Sequence, residues 1–266
     1  MTWRPATRTE GIEPFYVMEI VKEAQRLADS GRSIVHLSIG EPDFTAPPPV
    51  QTAAEQAIRS GMTQYTPALG TDALREAIAA DYARRFQIAV DPDRVVVTAG
   101  ASGALLLTLA ALLDRDRTLL MPDPSYSCNR HFATVLGGRA QLLPCGPQSR
   151  FQPTAAMIED AWTVHAAGVL LASPSNPTGT SIEQAVLAEI ADLVRARAGF
   201  LIVDEIYQGL SYGHAPSTAL SLGEDILALA SFSKYFGMTG WRLGWLVAPR
   251  GLVPVLEKLA QNLFIC

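Results

Sequence analysis

From Arg94 onward, short apolar runs alternate with turns and amphipathic stretches. Val95–Val97 leads to the helix-patterned Leu105–Leu113, Thr118–Met121 to Tyr126–Leu136, Ala140–Leu143 to Ala155–Trp162, and Gly168–Ala172 to Ile182–Val194. Phe200–Val203, Ile226–Ala230 and Trp241–Ala248 follow as further strand-like runs, and Leu252–Phe264 as a last helix. Continuous apolar runs bounded by turns are the pattern of strands covered on both faces. Their alternation with helical patterns predicts an α/β domain with a mostly parallel sheet. Upstream, residues 14–30 carry a helical period that stops at Gly31, and Ile34–Ile39 reads as a strand. Pro47–Pro49 opens a helix to about Ser60, Thr63–Thr71 is a loop rich in Gly, Pro and Thr, and Leu74–Phe86 is another amphipathic helix. No internal repeat or low-complexity segment interrupts the pattern.

Five of these strands end in distinctive polar groups. Val95–Val97 runs into Thr98-Ala99-Gly100-Ala101-Ser102-Gly103, and Leu119–Met121 into Pro122-Asp123-Pro124-Ser125-Tyr126. Val169–Ala172 runs into Ser173-Pro174-Ser175-Asn176-Pro177-Thr178-Gly179, Leu201–Val203 into Asp204-Glu205-Ile206-Tyr207, and Leu227–Ala230 into Ser231-Phe232-Ser233-Lys234. In open parallel sheets, ligands bind at the carboxyl ends of the strands. The convergence carries more weight than any one of these motifs.

The 266 residues are enough for one large domain, or for one domain and part of another. A net charge of −5 provides no basic surface of the kind nucleic acid requires. Cys128, Cys145 and Cys266 form no CxxC pair, so structural disulfides are not expected and a reducing cytoplasm is. His36, His131, His165 and His214 have no metal-ligand spacing, and no metal site is expected. Met1-Thr2-Trp3-Arg4-Pro5 leads into polar residues rather than a signal sequence, and no window approaches a membrane span.

The chemistry centres on a lysine. The chain has lysines only at 22, 234 and 258, and Lys22 and Lys258 lie in polar-flanked helical stretches as solvated charges. Lys234 instead leaves a buried strand, where partial desolvation favours a neutral, nucleophilic amine. Eight residues later Arg242 offers a planar cation suited to phosphate. An amine for a Schiff base and a cation for a phosphate point to pyridoxal phosphate (PLP). Asp204 reads either as a helix N-cap or as a carboxylate that keeps a pyridine nitrogen protonated. Gly100-Ala101-Ser102-Gly103 lets an anion approach backbone N–H groups at a helix start, although any tight strand-to-helix turn looks similar. Tyr126 is either a stacking ring or a packed aromatic. Asn176 and Tyr207 can each donate to a phenolic oxygen, against the plainer roles of turn chemistry and helix packing.

These motifs as a set resemble the class I/II aminotransferases, PLP enzymes of fold type I related to aspartate aminotransferase. The similarity rests on Gly40-Glu41-Pro42-Asp43-Phe44, Tyr65-Thr66-Pro67-Ala68-Leu69-Gly70 with Leu74-Arg75-Glu76, Ser175–Gly179, Asp204–Tyr207, and Ser231–Lys234 with Gly240-Trp241-Arg242-Leu243-Gly244. It covers the chain from Gly11 to about Phe264. It implies a seven-stranded sheet with helices on both faces, the large domain of PLP-dependent transferases. It assigns residues 1–45 to the small domain, 46–250 to the PLP-binding large domain, and 251–266 to the start of the interdomain helix. In this family the arginine that binds the substrate carboxylate lies in a C-terminal segment past Cys266, so the small domain is expected to be incomplete.

By the same resemblance, Lys234 holds PLP as a Schiff base and moves the proton, Asp204 pairs with the pyridine nitrogen, and Asn176 and Tyr207 bond the phenolic oxygen. Tyr126 stacks on the ring. Gly100, Ala101, Ser102, Ser231 and Arg242 hold the phosphate. Tyr65 reaches the cofactor of a second subunit, which implies a homodimer, and Gly40 and Asn176 lie against the substrate. The implied reaction moves an amino group from an L-amino acid to a 2-oxo acid by a ping-pong route. A carbon–sulfur β-lyase on the same scaffold, or an inactive PLP-binding fragment, remains open, as does the choice of amino donor.

Overall fold

The computed structural model describes residues 3–213 and 215–264; Met1, Thr2, His214, Ile265 and Cys266, some of them weighed above, lie outside the described residues. Its centre is a sheet of seven strands: β1 (Val95–Thr98), β2 (Thr118–Asp123), β3 (Arg139–Pro144), β4 (Ala166–Ala172), β5 (Phe200–Asp204), β6 (Leu227–Ser231) and β7 (Gly244–Val247). Their spatial order is β1-β7-β6-β5-β4-β2-β3. The pairs from β6 through β5, β4 and β2 to β3 are parallel, and β7 is antiparallel to both β6 and β1. The mostly parallel α/β sheet read from the sequence is therefore present.

Strand alternation builds two covered faces. Leu119, Met121, Leu170, Ile202, Leu227, Leu229 and Leu246 point to one face, into a core shared with α4 (Gly100–Leu112) and α8 (Val253–Leu263). Leu120, Val169, Leu171, Leu201 and Val203 point to the other, against α6 (Ala155–Ala161) and α7 (Gln184–Ala196). At the β1/β7 edge, Val95, Val97, Trp245 and Val247 meet Ile78 and Tyr82 of α3 (Asp72–Phe86). The fully apolar middle of α4, Ala104-Leu105-Leu106-Leu107, is the sequence of a helix with little solvent face, and Leu107 and Leu109 are completely buried.

The remaining helices are α1 (Tyr16–Asp29), α2 (Pro48–Arg59) and α5 (Asn129–Val135). Neither α1 nor α2 has a buried residue. Two expectations fail locally. Ile34–Ile39 is not a strand: Val35 and Leu37 stand 80% and 90% exposed, with no neighbouring strand among the described residues to take their backbone bonds. The run Trp241–Ala248 enters the sheet only at Gly244, because Thr239–Trp241 is a 3-10 turn and Arg242 is left-handed at φ 51°.

Candidate active site

A cavity of about 1380 Å³ opens along the carboxyl ends of the parallel strands. Ten sequence-nominated residues line it: Gly40, Ala101, Ser102, Tyr126, Asn176, Asp204, Tyr207, Ser231, Lys234 and Arg242. They come from at least five separate segments, so the sheet is what assembles them. Gly100 lies just behind the wall at the start of α4. Tyr65 is not part of the cavity and stands 84% exposed.

Lys234 follows β6 by three residues, and its Nζ donates to the carbonyl of Gly40 at 2.9 Å. This bond fastens the N-terminal segment to the floor of the cavity. Asp204 is the last residue of β5, and its Oδ1 accepts the N–H of Ile206 at 3.1 Å. Desolvation pushes its carboxyl up to about 6, against the opposing pull of that N–H. Among the described residues Asp204 has no cationic partner, so a carboxylate faces the cavity ready for one.

Asn176 and Tyr207 are already coupled: the Asn176 amide donates to the Tyr207 hydroxyl at 3.2 Å. Burial raises the Tyr207 phenol above its ordinary range, and the amide bond opposes the shift. Tyr126 meets the edge of Phe15 at 5.6 Å between ring centroids. Burial, together with neighbouring Cys128, holds its hydroxyl well above the usual phenol value.

The corner nominated for a phosphate is the tightest part of the site. Ala101 and Ser102 begin α4, so the helix start and its free N–H groups face the cavity. The Arg242 Nη1 donates to Thr239 O at 2.9 Å and to Ser233 Oγ at 3.4 Å. Ser231 Oγ donates to Ser233 Oγ at 2.8 Å and accepts the Ser233 N–H at 2.9 Å. A Cβ on Gly100 would lie 2.5 Å from Arg242 Nη2 and push the guanidinium aside, and at φ +73° a side chain there is strained.

Sequence reasoning missed Ser233, which holds Arg242, and Phe15, which packs on Tyr126. Ser233 carried a signal as the hydroxyl beside Lys234; Phe15 read only as the apolar start of a helix. Thr239, whose hydroxyl donates to Glu41 Oε1 at 2.6 Å, also lines the cavity unannounced. As a set, the site offers an amine, a cradle for a dianion, a carboxylate and two groups for an oxygen. That set suits a phosphate-bearing pyridine ring with a hydroxyl and an aldehyde, which is PLP. Among the described residues no cluster of three or more His, Cys, Asp or Glu is arranged to hold a metal ion. Among them, no helix is long and apolar enough to cross a membrane.

The family model described as aminotransferase class I and II matches residues 32–266. A valine–pyruvate aminotransferase of Mycobacterium tuberculosis is 44% identical over all of this chain, which spans 69% of that protein. The crystal structure of an aminotransferase from Mycobacterium tuberculosis superposes with a TM-score of 0.94 at 44% identity, covering 99% of this chain and 68% of its own. An aspartate aminotransferase from Thermus thermophilus, solved with maleate, gives 0.93 at 28% identity over 98% of this chain and 69% of its own.

Proposed function

The chain belongs to the class I and II aminotransferases, and on that footing we propose that it moves an amino group from an L-amino acid to a 2-oxo acid in a ping-pong cycle, with PLP as carrier and Lys234 as the amine that holds it. The observation that carries this reading is the meeting of Lys234, Asp204 and Arg242 around one cavity at the carboxyl edge of the sheet. When bound, PLP supplies an electron-withdrawing ring that accepts the electrons left when a proton leaves the substrate Cα.

The chain's own groups then have distinct tasks. Arg242, Ser231, Ser102 and the N–H groups at Gly100 and Ala101 would bind the phosphate, where the helix start and the guanidinium act together. Asp204 would keep a proton on the pyridine nitrogen; a cation at that point lowers the carboxyl's raised pKa and stabilises both charges. Asn176 and Tyr207 would donate to the phenolic oxygen, and Tyr126 would offer its ring face. Lys234 Nζ would carry the proton away from the substrate Cα and return it on the other side of the transfer. Gly40 and Asn176 would border the substrate, and the Gly40 carbonyl releases Lys234 when that amine is engaged elsewhere.

The same reading makes residues 46–250 the cofactor domain, with 1–45 and the stretch from 251 belonging to a smaller one. Tyr65, outside the cavity, would serve a second copy of the chain in a homodimer. The unpaired thiols of Cys128 and Cys145 support a cytoplasmic setting.

The test is the visible spectrum of the PLP-loaded chain before and after a mixture of L-amino acids. Loss of the lysine-bound band with gain of the pyridoxamine form, reversed by a 2-oxo acid, is the expected result. Release of pyruvate and a thiol from a cysteine conjugate, without amino exchange, would assign the site to a β-lyase. No spectral response would reject the transferase reading.

A further inference from the structure

Behind the cavity lies a second polar layer that this chemistry does not use. Asp204 faces the cavity, and the next residue, Glu205, faces the opposite side and is 3% exposed. Lys234 faces the cavity, and the next residue, Tyr235, lines a separate small cleft with Glu205. Between them stands Arg85, from the last turn of α3.

Arg85 is held at close quarters. Its side chain is 9% exposed, and its Nη1 donates to Asp81 Oδ2 at 3.3 Å. Its Cζ lies 4.6 Å from the centre of the Tyr235 ring and 5.0 Å from that of Phe86. A Cβ on Gly209 would fall 2.5 Å from Arg85 Nη2 and 2.6 Å from the Tyr235 ring, so a glycine there lets the chain close over the pair. The Nη2 atom is buried without a hydrogen-bond partner among the described residues. Burying such a group is costly, so packing alone does not account for an arginine here. Glu205 anchors the other half of the layer: its carboxylate accepts the Ala219 N–H at 2.6 Å and the Thr218 hydroxyl at 2.9 Å.

We propose that Arg85 is a positioning residue for the active site, gripping the Tyr235 ring so that the neighbouring Lys234 is aimed into the cavity. The proposal rests on the reading of Lys234 as the cofactor's lysine. Its physical content is one contact: the cation–π pair restrains the chain at Tyr235, one residue after Lys234. Asp81 and Glu205 are the acidic groups facing Arg85, and Tyr82 and Tyr235 the other titratable ones.

The experiment uses the PLP-loaded chain and two replacements, Arg85→Met and Arg85→Lys. The readouts are the affinity for PLP, the fraction of chain that shows the lysine-bound visible band, and the melting temperature. For Arg85→Met, PLP affinity is expected to fall about tenfold, the loss of one cation–π contact plus orientation. Arg85→Lys, which keeps the cation, is expected to recover most of the affinity and of the band. A lower melting temperature with the original affinity and band would make Arg85 a packing residue and overturn the proposal, as would a lysine variant no better than methionine. Should Arg85→Met fail to fold, Tyr235→Leu decides: Tyr235 is 42% exposed, so its loss spares the core. Reduced PLP affinity in that variant upholds the grip, and unchanged affinity refutes it. If the unsubstituted chain forms no lysine-bound band, the functional reading itself fails, an outcome distinct from all of these.

Discussion

Gly100 and Arg242 are the site's tightest fit, and both depend on unusual backbone. Gly100 takes φ +73° so that the Arg242 guanidinium can lie where a side chain would begin, and Arg242 takes φ 51° to reach it. A left-handed conformation costs an ordinary residue about 1–2 kcal/mol, and in Gly100→Ala the new Cβ displaces the Arg242 guanidinium. That variant is expected to lose about this much in a denaturant melt, and to bind PLP more weakly in a fluorescence titration. An unchanged affinity would mean that this corner is not the phosphate cradle. Asp204 allows a cleaner test because Asn keeps its size. Asp204→Asn is expected to retain PLP but to slow the first half-reaction by about two orders of magnitude or more, as for other preorganised charges. Stopped-flow loss of the lysine-bound band measures it, and an unslowed rate would remove Asp204 from the chemistry.

At the scale of elements, the turn after β5 gathers two carboxyls that folding does not favour in ionised form. Desolvation pushes Asp204 up to about 6 and Glu205 up to about 7. In both cases the folded state holds its proton to higher pH than the unfolded chain does. Their contribution to stability is therefore complete below the unfolded carboxyl range and is lost as pH rises through about 6 and 7. The PLP-free chain is expected to melt lower at pH 8 than at pH 5.5 on their account. Glu205→Gln should flatten that dependence, and a series of thermal melts against pH checks it; an unaltered slope would show that Glu205 does not titrate there. The sequence made much of this scale legible. The apolar runs marked all seven strands, because strands buried on both faces carry a continuous apolar signal, and their polar ends marked the cavity edge. Two things were not legible. Ile34–Ile39 has strand composition but no partner, and pairing is a tertiary property. Arg85 and Glu205 were given no role of their own, since nothing local says that the end of α3 meets the turn after β5.

For the whole molecule, the notable surface is the one left open. Tyr16, Met18 and Ile20 of α1, Ile58 of α2, and Met62 and Tyr65 beyond it are all exposed. Where such side chains form one continuous patch, contact with another chain or segment is the usual reason. The chain spans about two-thirds of the length of the relatives it matches. If Tyr65 serves a second copy, two disabled variants should rescue each other. Lys234→Ala mixed with Tyr65→Ala is expected to regain activity, because one site of each mixed dimer then has both residues. No recovery from mixing would place Tyr65 outside the site. The central claim, that Lys234 is the residue that carries PLP, is tested most directly by covalent trapping. The chain is incubated with PLP, reduced with borohydride, digested, and mapped by mass spectrometry. The expected result is a single pyridoxyl-phosphate mark on the peptide containing Lys234, absent from Lys234→Ala. A mark on Lys22 or Lys258 instead, or undiminished labelling of Lys234→Ala, would contradict it.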